Sequence, residues 1–392
     1  MSTEILELGR RLTQEALAPI KQAFVGKDEI VDLMGVCLVG GENLFLLGPP
    51  GTAKSALVQE LARKLDGNVF DYLLTRFTEP NEIFGPFDIR RLREGELVTN
   101  TEGMLPEASL VFLDELLNAN SAILNSLLMA LNERVFRRGR ETRALPTLMV
   151  VGASNRLPED DALNALFDRF LLRVCCENVP VERLGEVLNA GWTLDRRRHE
   201  KTDGPPPLKV ADVAKLQAIL STVDMSAVRP PIVDLVGRLR RAGIAVSDRR
   251  AVKMQRLVAA SALLCGRAAA VLSDLWVFRY IWDRLEQREV LASIVDEMLK
   301  AKPADATDHP RAHHADAPDP EAIARDLDGI AAKLESKELP ASERAVLKDR
   351  VSVLSGRCQW VKNDEQRTFL MKRIEALWKT AEAAAQKPGG GA

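Results

Sequence analysis

The sequence predicts an α/β protein whose core is a parallel β-sheet covered by helices on both faces. Five short, largely apolar runs read as buried strands, and helical segments separate them. Glycine-rich or polar stretches follow three of these runs, as expected where ligands bind at the carboxyl ends of parallel strands. The predicted strands are residues 43–47, 69–74, 109–113, 147–152 and 171–174.

The first strand is followed by the stretch GPPGTAKS, residues 48–55, and then by a helical segment. In a strand–loop–helix unit of this kind, backbone N–H groups converge on a phosphate at the positive end of the helix. Lys54 is expected to reach the β- and γ-phosphates, and the Ser55 hydroxyl to hold Mg²⁺. Ala53 replaces a usual glycine, but alanine adopts helical angles, so we expect a working loop; a chance Gly/Pro turn before a lysine is the alternative. The predicted nucleotide-binding residues here are Gly48, Pro49, Pro50, Gly51, Thr52, Ala53, Lys54, Ser55 and Ala56.

Two further strands end in residues suited to phosphoryl transfer, which chiefly requires positioned charges. Asp114, after the third strand, is expected to hold Mg²⁺ through water opposite Ser55, and Glu115 to polarise the attacking water as general base. Strands also end in acidic residues simply because solvent begins there, and this is the alternative. Asn155, after the fourth strand, is expected to orient the same water or contact the γ-phosphate; an ordinary loop asparagine is an equal alternative.

Arg169 and Arg249 are candidates for neutralising charge in the transition state. An arginine in this role usually acts on a neighbouring subunit, so it would require an oligomer with the site between subunits. Any single arginine of the chain is more often a solvated surface residue. Ser247 is a predicted N-cap, with Arg249 and Arg250 in the first turn of the helix that follows.

Composition restricts the class of protein. Lys and Arg number 54 against 56 Asp and Glu, and the net charge of −2 gives no support to a general nucleic-acid or anionic-membrane surface. No apolar run approaches the ~20 residues of a membrane helix, and residues 1–10 lack an apolar signal region, so we expect a cytoplasmic protein without membrane insertion. The five cysteines have neither metal nor disulfide spacing, which fits a reducing compartment.

Beyond the strands, the pattern is mainly helical. Residues 1–24 and 28–36 predict helices, residues 135–144 a charged hairpin turning at Gly139, and the chain from Pro180 to about Leu299 further helices. Residues 301–320 predict a linker. His309, His313 and His314 lie in it; a metal site is possible, but a solvated linker is favoured. Residues 321–386 predict three amphipathic helices in a bundle or coiled-coil hairpin, and residues 387–392 a disordered end.

These motifs together resemble the MoxR family of AAA+ ATPases. The stretches that carry the resemblance are GPPGTAKS, VFLDE, ILNSLLMALNERVFRRG, VVGASN and ALFDRFLLRV. With the stretch TRFTEPNEIFGPFDIRRL, the sequence is most similar to the RavA subgroup. The resemblance covers residues 1 to about 295. It implies a nucleotide-binding domain over 1–180, with a helix-2 insert within 76–105 and a pre-sensor-I hairpin at about 134–146, followed by an α-helical lid over 181–300.

The resemblance also implies ATP and Mg²⁺ as ligands and assigns roles by position. Arg250, beside Arg249, is the alternative for sensor II, and Asn43 stands where many relatives have histidine before the first strand. The implied roles are Walker A for Lys54 and Ser55, Walker B for Asp114 and Glu115, sensor I for Asn155, arginine finger for Arg169, sensor II for Arg249, and the segment before the adenine pocket for Val25 and Gly26.

The implied function is chaperone-like remodelling of a target complex by a homo-oligomer, a hexameric ring, with a von Willebrand A domain partner. A slow nucleotide-dependent assembly switch is the first alternative. The net charge disfavours a DNA motor. The sequences of the motifs disfavour a magnesium-chelatase-type subunit. The helical tail differs from the mostly β domain that follows the lid in RavA-like proteins. Arg90, Arg91, Arg93, Arg137, Arg138 and Arg140 either line a central pore or form a solvated face.

Overall fold

A computed structural model describes residues 2–94, 97–138, 141–200, 205–300, 305, 307–313, 320–335, 347, 351, 354, 355, 358 and 364–383. The chain forms two compact units, Met1–Val295 and Asp296–Ala392. Gly139, Arg140, His314 and the predicted disordered end 387–392 lie outside the described residues.

The first unit is built on a five-stranded sheet with the order β2-β3-β6-β1-β7, in which all pairs are parallel. This confirms the predicted parallel sheet, and each strand lies within two residues of its predicted bounds. The central strands are buried on both faces, which explains why their sequences are continuous apolar runs. The strands of the sheet are β1 Leu44–Leu47, β2 Val69–Leu73, β3 Leu110–Asp114, β6 Met149–Ser154 and β7 Leu172–Cys175.

Helices cover both faces of this sheet, and a separate antiparallel pair forms the predicted hairpin, β4 Val135–Arg138 with β5 Glu141–Ala144. A π-helical segment, Leu12–Leu17, joins the first two helices into one continuous helical stretch. The helices of this part are α1 Thr3–Arg11, α2 Ala18–Ala23, α3 Asp28–Gly40, α4 Lys54–Lys64, α5 Pro80–Phe84, α6 Ile89–Arg93, α7 Ser121–Glu133 and α8 Asp161–Phe167.

After β7 the chain is helical, as predicted. The Ser247 side chain accepts a hydrogen bond from the Arg250 backbone N–H at 3.2 Å, which confirms the predicted N-cap. The helices are α9 Leu184–Glu200, α10 Val210–Ile219, α11 Arg229–Arg241, α12 Asp248–Leu264 and α13 Gln287–Lys300. No helix in the described part of the chain combines the length and apolar character needed to cross a bilayer.

The second unit is helical, with α14 Pro320–Glu335 and α15 Asp364–Ala383. Their buried apolar residues, with buried side chains at 347, 351, 354 and 358, form one core, including Ile323, Leu327, Leu370 and Ile374. The expectation that the linker histidines are solvated is wrong at His309, which is 5% exposed. The Asp308 side chain accepts the Asp305 N–H and the Asp305 side chain accepts the Thr307 N–H, so both aspartates bind nearby backbone groups.

Candidate functional site

The candidate nucleotide loop, residues 48–53, joins the carboxyl end of β1 to the first residue of α4. The Gly48 N–H donates to the Ser154 carbonyl at 2.9 Å, and this hydrogen bond attaches the start of the loop to the end of β6. A Cβ on Gly48 would lie 2.1 Å from the Cys176 carbonyl oxygen, so glycine is required by this close approach. The Cys176 thiol also donates to the Thr52 carbonyl, at 3.4 Å. The end of β7 therefore supports the loop from the other side.

Ala53 is the one loop position where our conformational expectation is wrong. It lies in the left-handed region, with φ 66° and ψ 23°, and not in the helical region expected for alanine. The turn into α4 dictates this geometry, because the loop must reverse before Lys54 begins the helix. Alanine costs about 1–2 kcal/mol in this region, where glycine costs nothing.

The loop has the properties that a bound phosphate requires. The buried Lys54 ammonium donates to the carbonyls of Gly48 at 3.0 Å and Pro49 at 2.8 Å, and one of its three N–H donors remains beyond these two bonds. Gly51 has φ 80°, and the space where its Cβ would lie is open. Ser55 and Ala56 lie in the first turn of α4, at the positive end of the helix dipole.

The acidic pair lies two strands away, at the same edge of the sheet. Asp114 ends β3 and is half-buried, and its Oδ1 accepts the Glu115 N–H at 3.0 Å. Glu115 has φ 50°, a left-handed conformation that non-glycine residues adopt mainly where the surroundings impose it. Asn155 follows the end of β6, which lies between β3 and β1, and is exposed. The carboxyl edge therefore gathers the loop, the acidic pair and Asn155.

Asn118 and Arg156 join this group, although the sequence analysis did not single them out. Asn118 Nδ2 donates to Glu115 Oε2 at 3.5 Å, and the Arg156 guanidinium donates to Asn118 Oδ1 at 3.2 Å. A chain of contacts thus runs from Glu115 to the residue after Asn155. The sequence contains one indication of this contact: Asn118 lies three positions after Glu115. One turn of 3₁₀ helix brings these two side chains together.

Arg169 lies at the opposite edge of the sheet, just before β7. Its carbonyl accepts from the side chain of Asn43, the residue before β1, at 3.1 Å. Five residue steps separate Asn43 from Gly48, which at about 3.3 Å per residue is about 16 Å. Arg249, exposed in the first turn of α12, lines the same small cavity as Arg169, together with Lys253. Both candidate arginines are therefore on the amino edge, away from the chain's own loop.

The structure distinguishes Arg249 from Arg250. The Arg249 guanidinium is exposed and donates to Asn132 Oδ1 at 2.9 Å, whereas Arg250 is buried and donates to both carboxylate oxygens of Asp283 at 3.2 Å. The same Asp283 accepts from the fully buried Arg173 at 2.7 Å. Burial, followed by the charge of Arg250, lowers the pKa of Arg173 to about 9, although Asp283 opposes both effects. Arg250 is thus committed to an internal network.

Val25 and Gly26 lie beside the chain that follows β7. Gly26 has φ 72°, and a Cβ there would be 3.2 Å from Val179. The Lys27 ammonium donates to the Glu177 carbonyl. Since residue 176 contacts the nucleotide loop, this segment is on the loop's side of the molecule.

The basic side chains of the insert and the hairpin differ in their surroundings. Arg90, Arg91 and Arg93 are exposed on α6. Arg138 instead packs 4.0 Å over the Phe87 ring and donates to the Gly85 carbonyl at 2.5 Å. Within the described ranges, no group of three or more His, Cys, Asp or Glu residues is arranged to hold a metal.

Two regions of the chain match models of known protein families. Residues 10–218 match the model of the MoxR domain in the MoxR–vWA–β-propeller ternary systems, and residues 230–295 match an AAA lid domain. An uncharacterised protein of Methanocaldococcus jannaschii is 34% identical over 302 residues, 71% of this chain and 79% of that protein. The chaperone MoxR1 of Mycobacterium tuberculosis is 28% identical over 165 residues, 41% of this chain and 43% of that protein.

A solved structure shares the fold. It is the crystal structure of a putative ATPase from Cytophaga hutchinsonii, with a TM-score of 0.60 and 18% identity. The match covers 76% of this chain and 97% of the other.

Proposed function

The chain belongs to the MoxR family of AAA+ ATPases, and from this premise we propose that it hydrolyses ATP at a site that a second copy of the chain completes. The hydrolysis would drive chaperone-like remodelling of a protein complex, with a von Willebrand A domain protein as partner. The description of the matching family model, which names vWA and β-propeller components, supports this partner.

One observation carries the proposal: the candidate loop and the candidate arginines occupy opposite edges of one sheet. The Arg169 carbonyl binds Asn43, just before β1, whereas residues 48–55 follow β1, about 16 Å further along this strand. A neighbouring copy, oriented head to tail, presents its amino edge to this loop. We therefore assign Arg169 and Arg249 to the nucleotide of the neighbouring subunit.

In the proposed reaction, the loop N–H groups and the third Lys54 donor bind the β- and γ-phosphates. Ser55 and Asp114 would hold Mg²⁺, which neutralises phosphate charge. Asn155 orients the attacking water and Glu115 accepts its proton as the water oxygen bonds to the γ-phosphorus. The bond from the γ-phosphorus to the β–γ bridging oxygen breaks, ADP leaves, and Arg169 of the second copy stabilises the charge that develops in the transition state. Val25 and Gly26 lie on the side where the adenine is expected.

The test is Mg²⁺-dependent ATP turnover per subunit across protein concentrations, for the wild type, Glu115→Gln and Arg169→Ala. Turnover should rise with concentration in the wild type, and both variants should lose about 10³-fold while still binding a fluorescent ATP analogue. Arg10→Ala is the matched control, because this arginine is exposed on α1 and pairs only loosely with Glu7 at 3.6 Å.

Turnover independent of concentration, or retained in Arg169→Ala, would contradict completion by a second copy. Binding without turnover at every concentration would favour the assembly switch. If a neighbouring gene encodes a von Willebrand A domain protein, that protein is the partner to add next, and acceleration of turnover by it would support the remodelling function.

A further inference from the structure

An exposed apolar stripe runs along α9 and the turn before it. Val181, Leu184, Leu188 and Trp192 are 80%, 46%, 66% and 77% exposed. Spacings of three and four residues place them on one face of the helix. Contiguous exposed apolar side chains that include a tryptophan are typical of interaction sites.

The contacts of α9 with its own chain use a different face. Val187, Ala190 and Leu194 are half-buried, and they lie about 135° around the helix from the stripe at 100° per residue. From Leu184 to Arg197, no side chain of α9 is buried. The helix therefore packs weakly through one face and presents the stripe outward.

The stripe begins beside the candidate nucleotide loop. The chain leading to it, residues 176–179, contacts Gly48, Gly26 and Lys27, as described above. A second copy whose amino edge faces the loop of this chain would therefore lie next to residues 176–179, which lead into α9. The position of the stripe makes it part of the surface that such a copy would cover.

We propose that this stripe docks on the amino-edge surface of a second copy, the surface that carries Arg169 and Arg249. The proposal rests on the proposed function, which it extends by naming the contact surface. The second copy's surface has matching character: Met129 is 36% exposed, one turn from the Asn132 that binds Arg249, and Val252 is 62% exposed, one turn beyond Arg249. Such a contact is heterologous and forms rings when its rotation closes.

Charges also match across the proposed contact. Glu177, Glu182 and Glu186 are exposed around the start of α9; Arg183 pairs with Glu186, so three carboxylates and one guanidinium leave this segment net negative. On the amino edge, Arg169, Arg249 and Lys253 line the cavity with Asp168; Asp168 pairs with Arg169 and Glu42 with Lys253, so Arg249 supplies the net positive charge. Opposite charges at such a contact favour the head-to-tail orientation over stripe-to-stripe pairing, because pairing two stripes would bring like charges together.

The first test compares two full-length variants that add the same charge to adjacent exposed positions of α9. Leu188→Glu places it on the stripe, and Asn189→Glu places it about 100° around the helix. With Mg²⁺ and ATP, Leu188→Glu should lower turnover per subunit about tenfold or more and shift sedimentation towards the monomer, because a carboxylate would be buried in the contact. Asn189→Glu should stay within about twofold of the wild type. Sedimentation is repeated in a Glu115→Gln background, so that assembly is read without turnover.

The second test mixes Leu188→Glu with Arg169→Ala. The Arg169→Ala copy keeps an intact stripe and loop, while the Leu188→Glu copy keeps an intact arginine surface. In a 1:1 mixture about one in four random pairings joins these intact surfaces, so turnover should recover to about a quarter of the wild-type value. Recovery also shows that Leu188→Glu is folded.

If Leu188→Glu sediments with the same mass as the wild type and has the same turnover, the proposal is overturned, and the stripe would then bind a different protein. Loss of assembly without recovery in the mixture would overturn the head-to-tail placement. An inactive wild type that still assembles through the stripe would refute the proposed function and leave this contact standing.

Discussion

Asp283 accepts a hydrogen bond from the buried guanidinium of Arg173 at 2.7 Å, across 110 positions of the chain. Arg173 belongs to β7, four residues after Arg169. Asp283 also binds Arg250, the neighbour of Arg249. The one carboxylate thus fixes the first turn of α12 to the strand that follows Arg169, which holds both candidate arginines in one rigid group.

Replacing Asp283 by alanine should lower the free energy of unfolding by about 2–4 kcal/mol, because two buried guanidinium groups lose their counter-charge. Urea titration of the full chain measures this change. Asp234→Ala is the control: its pair with Arg238 is exposed on α11 and should contribute less than about 0.5 kcal/mol. Equal effects of the two substitutions would contradict a structural role for the buried network.

Ala53→Gly should stabilise the chain by about 0.5–1 kcal/mol. Glycine removes the cost of about 1–2 kcal/mol that alanine has in the left-handed region. Glycine also has greater conformational freedom in the unfolded chain, which stabilises the unfolded state and offsets part of this gain. Thermal unfolding of the two proteins provides the comparison. Ala56→Gly, in the first turn of α4, should have the opposite sign, since glycine within a helix destabilises by up to roughly 0.5–1 kcal/mol. Destabilisation by both substitutions would show that Ala53 carries no strain.

Asn118→Ala should lower turnover about threefold to tenfold without changing ATP affinity. The substitution removes the donor that contacts Glu115 Oε2, so the proposed general base loses orientation while the loop remains intact. Steady-state kinetics with an ATP-binding titration separates the two quantities. Glu159→Gln weakens only the other contact of Arg156, at 3.4 Å, and should remain within about twofold. A changed ATP affinity in Asn118→Ala would place its effect in the loop.

Alkaline pH should destabilise the chain partly through Cys37. Burial, and then Glu42, raise the pKa of this thiol well above its ordinary value of 9.0. Below pH 9 the folded and unfolded states both hold the proton; above it only the unfolded state loses it, so stability falls as pH rises. This thiol contributes a slope of up to about 1.4 kcal/mol per pH unit. The difference between wild type and Cys37→Ala in urea titrations from pH 8 to about 10 isolates it, and parallel curves would contradict the prediction.

The sequence was sufficient for the sheet because buried parallel strands need continuous apolar runs, and these stand out in one chain. Helix α7 was predicted with its observed bounds, and the structure supplies its cap: Asn120 accepts the Ala122 and Ile123 N–H groups. The conformation of Ala53 could not be predicted from its residue type, since the loop geometry overrides it. Nor could Arg250 be separated from Arg249, because burial depends on Asp283, 33 positions away. The α9 stripe likewise requires three dimensions, since periodicity identifies a face without saying what covers it.

The placement of the loop and the arginines on opposite edges of one sheet determines how many complete sites an assembly contains. In the proposed head-to-tail arrangement, an open chain of n copies always leaves one loop without arginines at one end, and one arginine pair without a loop at the other. It therefore holds n − 1 working sites, and closure into a ring adds one more without any new contact type. Specific activity per subunit then reports the geometry of the assembly: it approaches its ceiling gradually as an open filament grows, and reaches it in a single step when a ring closes.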